Sequence, residues 1–434
     1  MAKLIKKAIN VYKNRGISGL ADKTARFAGK RARRLGKKLS FKREGYDEKR
    51  LREEFEFVSN DVFQITNQDI ELSKQACGGS KPVIETALWF IPQFSHFGFN
   101  GIQTIFRFIE KMSLEGVHNH LVIYDSPTFD TSVFETQMKT SFPGISSYTV
   151  HVFGDDKEAS IKKLPASDIA FCTFWVSAYI LLRYNQTKRK YYFIQDYEPQ
   201  FYEAGSTSAL AESTYRFGFK GIVNTPGLLA AVNQRHGMEG VSFIPAVNRQ
   251  LYYPNPNKKN KRVRIFLYAR PLNPRNAFNL GILTIKELLA QYPDDIEIIT
   301  AGADWDEAEH GLQGLITNLG LLKSLDQVAD LYRTCDIGFS YMLTPHTSYQ
   351  MLEYTASGMA TVMNYNEDHA WLHKNGVNCL LAEPSPAAMA EQIGKLIVDE
   401  KLRRKLVKTA EKELGYTWDQ QMDMIWNDVK NSKS

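Results

Sequence analysis

From about residue 84 onward, short apolar and β-branched runs alternate with longer stretches of helical periodicity. The runs at 84–91, 121–124, 148–153, 169–174, 191–194, 221–224 and 242–244 read as strands. Helical stretches such as 101–111 and 176–184 lie between them. This alternation predicts a parallel sheet covered on both faces. It breaks at 253–261, where two prolines, three asparagines and three lysines within nine residues suit a linker. The pattern then restarts, with strands expected at 264–268, 296–300, 316–319, 337–341, 361–364 and 379–381. The expected fold class is therefore α/β, with two doubly wound domains at 81–252 and 253–415. A closing helix is expected at 416–434, and an extension at 1–80 precedes the domains.

Size agrees with this division, since 434 residues exceed the roughly 250–300 at which single cores stop growing. The cysteines Cys77, Cys172, Cys335 and Cys379 are widely spaced and form no CxxC pair. That spacing disfavours a disulfide framework or a zinc site and favours a reducing compartment. No secretory leader is expected, and no run of about 18 apolar residues is present. The expected location is the cytoplasm, at the inner face of the cell membrane.

Charge changes the picture at one end. Residues 1–43 carry fifteen Lys or Arg and one acid, +14, against +6 for the whole chain, which leaves −8 for the remainder. With Ile5, Ile9, Ile17, Leu20, Phe27 and Leu35 interspersed, the segment suits basic amphipathic helices on an anionic membrane surface. A plain solvated helical extension is the competing reading. Nucleic-acid binding is set aside, because no aromatic platform or reading motif accompanies the cations.

In open parallel sheets, ligands bind beyond the carboxyl ends of strands, so the chemistry is sought there. Three segments qualify. At 341–358 a strand leads through a loop to Thr347 and Gln350, spaced as a capping box, and Gly358 suits the helix end. The free amides at this helix start, around Thr347, Ser348 and Tyr349, form an anion site fit for a diphosphate. Glu353, one turn further, can accept from ribose or deoxyribose hydroxyls. It can equally be a solvated residue on a well-capped helix. At 265–276 an apolar strand delivers Arg270, with Arg275 five residues on. Two fixed cations there can clamp a diphosphate and stabilise the charge that grows as it leaves. At 91–101, Gly98 and Gly101 allow close backbone approach before a helix. His96 stands in the same loop. The glycines do not match GxGxxG, which disfavours a nicotinamide or flavin.

On these residues the chain resembles retaining GT-B glycosyltransferases of family 4. In that family an arginine and a lysine follow the first strand of the donor domain; Arg270 and Arg275 stand there. A helix-start motif ends in a glutamate followed by a small-residue run, here Glu353 to Val362. The segment 318–332 resembles the loop that holds the base, with Leu321 and Leu322 against it. Residues 416–418 and the final helix resemble the tail that returns to the first domain. The stretch 192–202, with the His346-to-Gln350 form of the helix start, further resembles bacterial rhamnosyltransferases of S-layer glycan assembly. That resemblance implies dTDP-β-L-rhamnose as donor and a growing rhamnan, possibly lipid-linked, as acceptor.

Two departures stand out. Family 4 carries a second glutamate eight positions before the first, and Pro345 occupies that place. The family's catalytic-lobe histidine has no match; Gln195 and Asp196 stand near it. The resemblance implies a metal-independent transferase with no cofactor, in which Arg270, Arg275 and the helix start stabilise the leaving diphosphate. Arg249 is expected near the hinge, within reach of the phosphates. A retaining course leaves the phosphate to deprotonate the acceptor. An inverting one needs a base, with Asp196 or His96 as candidates. Asp304 and Asp306 spell a DxD, read here as a polar loop rather than a metal site. Rival readings are a transferase of another UDP- or GDP-sugar, an epimerase, and a non-catalytic two-lobed binding protein.

Overall fold

The computed structural model describes residues 65–76, 83–94, 97, 100–413 and 415–432. The basic segment at 1–43, His96, Gly98 and Cys77 lie outside these residues. The first lobe runs α1 (Asn67–Ala76), β1 (Thr86–Ile91), α2 (Asn100–Leu114), β2 (His118–Ile123), α3 (Thr131–Ser141) and β3 (Tyr148–Val152). It continues with α4 (Lys157–Lys163), β4 (Ile169–Cys172), α5 (Trp175–Arg183), β5 (Lys190–Ile194) and α6 (Ser206–Ser213). β6 (Lys220–Asn224), α7 (Pro226–His236) and β7 (Gly240–Phe243) complete it.

The second lobe holds β8 (Val263–Tyr268), α8 (Phe278–Gln291), β9 (Ile296–Ala301), β10 (Thr317–Asn318), α9 (Leu325–Thr334) and β11 (Ile337–Ser340). α10 (Tyr349–Ala356), β12 (Ala360–Asn364), β13 (Leu380–Ala382), α11 (Pro386–Val398) and α12 (Glu400–Glu413) follow. The last helix is α13 (Trp418–Asn431).

Each sheet is parallel throughout. The first has seven strands in the order β3-β2-β1-β4-β5-β6-β7, and the second six, β10-β9-β8-β11-β12-β13. Strands with helices on both sides are apolar on both faces, and β1, β4 and β5 are buried along nearly their whole length. This two-sheet α/β architecture is the GT-B fold. Winding reverses between β1 and β4 in one sheet and between β8 and β11 in the other. The loops that leave these four strands therefore open the crevices where such sheets bind ligands.

Local chemistry sets the elements that matter. α10 lies flat on β11 because Gly338 has no side chain; a Cβ there would stand 2.4 Å from the Tyr354 ring. α10 ends where Gly358 takes φ +80°, a conformation open to glycine at no steric cost. α13 belongs to the core of the first lobe, where Met422, Ile425, Trp426 and Val429 join the cluster around Trp89 and Phe106. Arg189 ties that helix down by donating to the Val429 carbonyl at 2.7 Å. Among the described residues, no helix is long and apolar enough to cross a membrane.

Candidate active site

The loops after β4, β8 and β11 and the start of α2 meet around one cavity of about 430 Å3. Arg270 and Arg275 reach it from the loop after β8, and His346 and Ser348 from the loop after β11. Glu353 lines it from α10, Gln195 and Asp196 from the end of β5, and Phe174 and Phe201 from the first lobe.

The helix start differs by one residue from the sequence expectation. Ser348, not Thr347, is the N-cap of α10, and its hydroxyl accepts from the Gln350 amide at 3.3 Å. Thr347 is turned inward, its hydroxyl 2.6 Å from His373 Nε2. A neighbouring imidazole thus outcompetes the local cap, which spacing could not reveal. The loop is further held by His369, whose Nε2 lies 3.0 Å from the Thr344 carbonyl. Burial pushes His369 down to about 4 and His373 to about 3, so both rings are neutral struts. Neither was singled out from the sequence, where a histidine pair four apart carries no distinctive signal.

Glu353 is not solvated. It is 7% exposed, accepts from Asn100 Nδ2 at 3.2 Å, and burial pushes its carboxyl up to about 7. Tyr349, at the first turn of α10, faces the other lobe. Its hydroxyl lies 3.0 Å from Thr104 Oγ1 and 3.3 Å from Asn224 Nδ2, and its ring stacks on Trp418. Tyr349 is thus an inter-lobe contact as well as a member of the helix start.

The two arginines also differ. Arg270 is exposed, its guanidinium 5.9 Å from the Tyr268 ring. Arg275 is engaged across the cleft, 2.5 Å from Asp196 Oδ2 and packed over Phe201 at 4.7 Å. Asp196 is 7% exposed, and its other oxygen accepts from the Tyr197 amide at 2.8 Å. Each carboxylate oxygen therefore has a partner. Two residues on, Glu198 is 3% exposed and accepts from the Trp175 amide and the Tyr192 hydroxyl. Burial, chiefly, pushes it up to about 8. The aromatic stretch 191–202 is mostly packing: Tyr191, Tyr192 and Tyr197 are buried, and only its later part reaches the cavity.

The remaining expected residues lie further out. Arg249 is exposed beside the hinge and does not line the cavity. Leu321 is 70% exposed, while Leu322 packs on the cluster around Tyr252 and Tyr354. Tyr268, Leu325, Val328 and Tyr332 are the second-lobe residues that wall that side of the cavity. Asp306 accepts from the Ala308 amide at 2.8 Å, and Trp305 packs on Phe278 and His310. Both are turn and packing roles.

Side-chain chemistry missed from the sequence concentrates where the lobes meet. His346 Nε2 lies 2.8 Å from Asn224 Nδ2, and Gln195 Nε2 donates to the Gly101 carbonyl at 2.8 Å. Four buried atoms here have no partner: Gln195 Oε1, Asn224 Oδ1, Arg275 Nε and His346 Nδ1. Leaving such a group unpaired costs about 1–3 kcal/mol.

Known proteins share this chain's sequence pattern and fold. Two family models match, described as WsaF, N-terminal domain, over residues 91–225, and WsaF, C-terminal domain, over residues 263–394. An O-antigen biosynthesis protein RfbC from Myxococcus xanthus is 37% identical over 409 residues, 92% of this chain. The chain spans about a third of that relative's length, 32%. Among solved structures, Anabaena Alr3699/HepE in complex with UDP-glucose matches with a TM-score of 0.62 at 15% identity. That match covers 80% of this chain and all of that one. Sucrose-phosphate synthase from Thermosynechococcus elongatus gives 0.60 at 13% identity, covering 80% and 98%. A TarM variant from S. aureus, in complex with Fondaparinux, alpha-GlcNAc-glycerol and UDP, gives 0.62 at 9%, covering 80% and 100%. At these identities the likeness is one of fold.

Proposed function

Since the chain belongs to the WsaF family of glycosyltransferases, we propose that it transfers L-rhamnose from dTDP-β-L-rhamnose to a growing glycan, retaining configuration and using no metal. The observation that carries this reading is the convergence of two arginines, a capped helix start and a buried carboxylate on one cavity. The diphosphate lies against the α10 amides beside Ser348, with Arg270 and Arg275 on its oxygens. Glu353 accepts from the single free hydroxyl of the deoxyribose. Closure of the lobes excludes water while the fixed cations and amides stabilise the leaving diphosphate, so the charge is met without a metal.

The retaining course has support in the state of Asp196. Both its oxygens are engaged, by Arg275 and by the Tyr197 amide, so it is poorly placed as a base. The departing phosphate then takes the acceptor proton. Phe174 and Phe201, on the first-lobe wall, offer an apolar surface that suits a deoxysugar methyl. The acceptor glycan enters from the first lobe. Its product class follows the name of the Myxococcus xanthus relative, O-antigen biosynthesis. The basic segment 1–43 brings the enzyme to the cytoplasmic face of an anionic membrane.

Binding of dTDP, UDP, GDP and dTDP-β-L-rhamnose to the wild type and to Glu353→Ala tests the reading. Selective binding of the thymidine ligands, weakened in the variant, is expected. Preference for UDP or GDP would replace the donor, and binding without consumption of donor in the presence of acceptor would leave a binding protein.

A further inference from the structure

We propose that Gln195 and His346, held in place by Asn224, read the hydroxyls of the transferred sugar as the lobes close on it; this rests on the donor site argued above. Each of the two side chains is pinned by one polar atom and leaves its other polar atom unused. Gln195 donates through Nε2 to the Gly101 carbonyl, which leaves Oε1 as a buried acceptor with no partner.

His346 is the complement. The Asn224 amide nitrogen contacts the Gln195 main-chain carbonyl at 3.3 Å as well as His346 Nε2 at 2.8 Å. An atom that faces a carbonyl oxygen is the NH2 of the amide, so it donates to the ring as well. Nε2 is then the acceptor, and in the neutral ring Nδ1 carries the proton, as a buried donor with no partner. His346 is 5% exposed, and burial holds its ring neutral.

One amide thus yokes an unused acceptor on the first lobe to an unused donor on the second. Both residues line the cavity that holds Arg275 and Ser348. A pair of hydroxyls, each able to give and to accept, matches that set. A fully ionised anion does not, because it has no hydrogen to give the Gln195 acceptor. The two residues sit on opposite lobes, so separation of the lobes uncovers both, and a bound sugar restores their lost partners. At Pro345 the chain cannot offer a carboxylate for this task, and the neighbouring imidazole supplies a different hydrogen-bonding group.

The test compares ligands that share a nucleotide and differ in sugar: dTDP, dTDP-β-L-rhamnose and dTDP-α-D-glucose. Binding is measured on the full chain for wild type, His346→Gln, His346→Asn and Gln195→Met. The glutamine variant keeps a polar atom near the Nε2 position and loses the donor at Nδ1, whereas asparagine keeps a donor near Nδ1. His346→Gln and Gln195→Met are expected to bind dTDP within about 2-fold of wild type. Their affinity for the preferred sugar nucleotide falls at least about 10-fold, and the preference between the two sugars narrows. His346→Asn recovers part of that preference. Equal losses for dTDP and its sugars, or an unchanged preference, would overturn the assignment and leave the donor site standing. A wild type that binds none of the three would overturn both.

Discussion

In the first lobe the sheet is packed with rings. Trp89 stacks on Phe171 with centroids 3.8 Å apart, and Phe108 and Phe193 close around them. In the second lobe one face of the sheet is packed mainly with aliphatic residues, among them Ile265, Ile285, Ile298, Ile337 and Leu288, and the rings Tyr252, Phe266, Tyr332 and Tyr354 gather on the other. The site residues divide more sharply. The first lobe brings amides and acids to the cavity, with Gln195, Asp196, Glu198 and Asn100, whereas Arg270, Arg275 and the α10 start come from the second. Two sheets of one design therefore carry different tasks. The lobe with the cations and the helix start suits a diphosphate. The lobe with neutral amides and apolar rings suits sugars, because hydroxyls need directional partners more than charge. Asp196 and Arg275 are where the two characters meet.

The contrast can be broken at its strongest point first. Phe171→Ala removes a fully buried ring from the first core and is expected to cost about 3–5 kcal/mol, read from denaturant unfolding. Arg275→Ala leaves folding largely intact and should lower turnover about 100- to 1,000-fold, as loss of one preorganised charge partner does elsewhere. Turnover within 3-fold of wild type would remove the second lobe's claim to the leaving group. Glu353→Gln should weaken nucleotide binding about 10-fold. In the wild type, binding should tighten as pH rises through about 7, because the ionised carboxylate accepts the deoxyribose hydroxyl's hydrogen bond more strongly than the protonated carboxyl does. That pH dependence should be absent from the variant.

Glu198 gives a smaller effect, on the first lobe alone. Its folded value, about 8, lies above the ordinary carboxyl range, so its contribution to stability is full below about 4.5. That contribution is lost as pH rises toward about 8. Glu198→Gln should flatten the fall of Tm across that window, measured between pH 5 and pH 8.5. The smallest effect is expected from Ile298→Val in the second core, about 1 kcal/mol, since one buried methylene is lost from an aliphatic cluster that can partly close.

Much of this was legible in order along the chain. Each of the thirteen strands among the described residues overlaps an expected run, and the central ones, β1, β4 and β5, are nearly unbroken apolar stretches, as strands buried on both faces must be. The shortest, β10, is two residues long against an expected four, since its ladder with β9 pairs only Thr317 and Asn318. Arg270, Arg275, Ser348 and Glu353 were also readable, because each follows a strand by a short and characteristic interval. The cap at Ser348 was misplaced by one residue, and the struts His369 and His373 went unnoticed, since their partners lie 20 to 30 residues away in the chain.

The sequence by itself thus determined the two parallel sheets, which depend on local periodicity, and its motifs carried the resemblance to the family. Only the tertiary structure decided that Asp196 is spent on Arg275, that Glu353 is buried rather than solvated, and that Asn224 joins Gln195 to His346. The physical reason is that burial and hydrogen-bond partnership are properties of pairs. Asn224 and His346 stand 122 positions apart, and only the folded chain brings one within reach of the other.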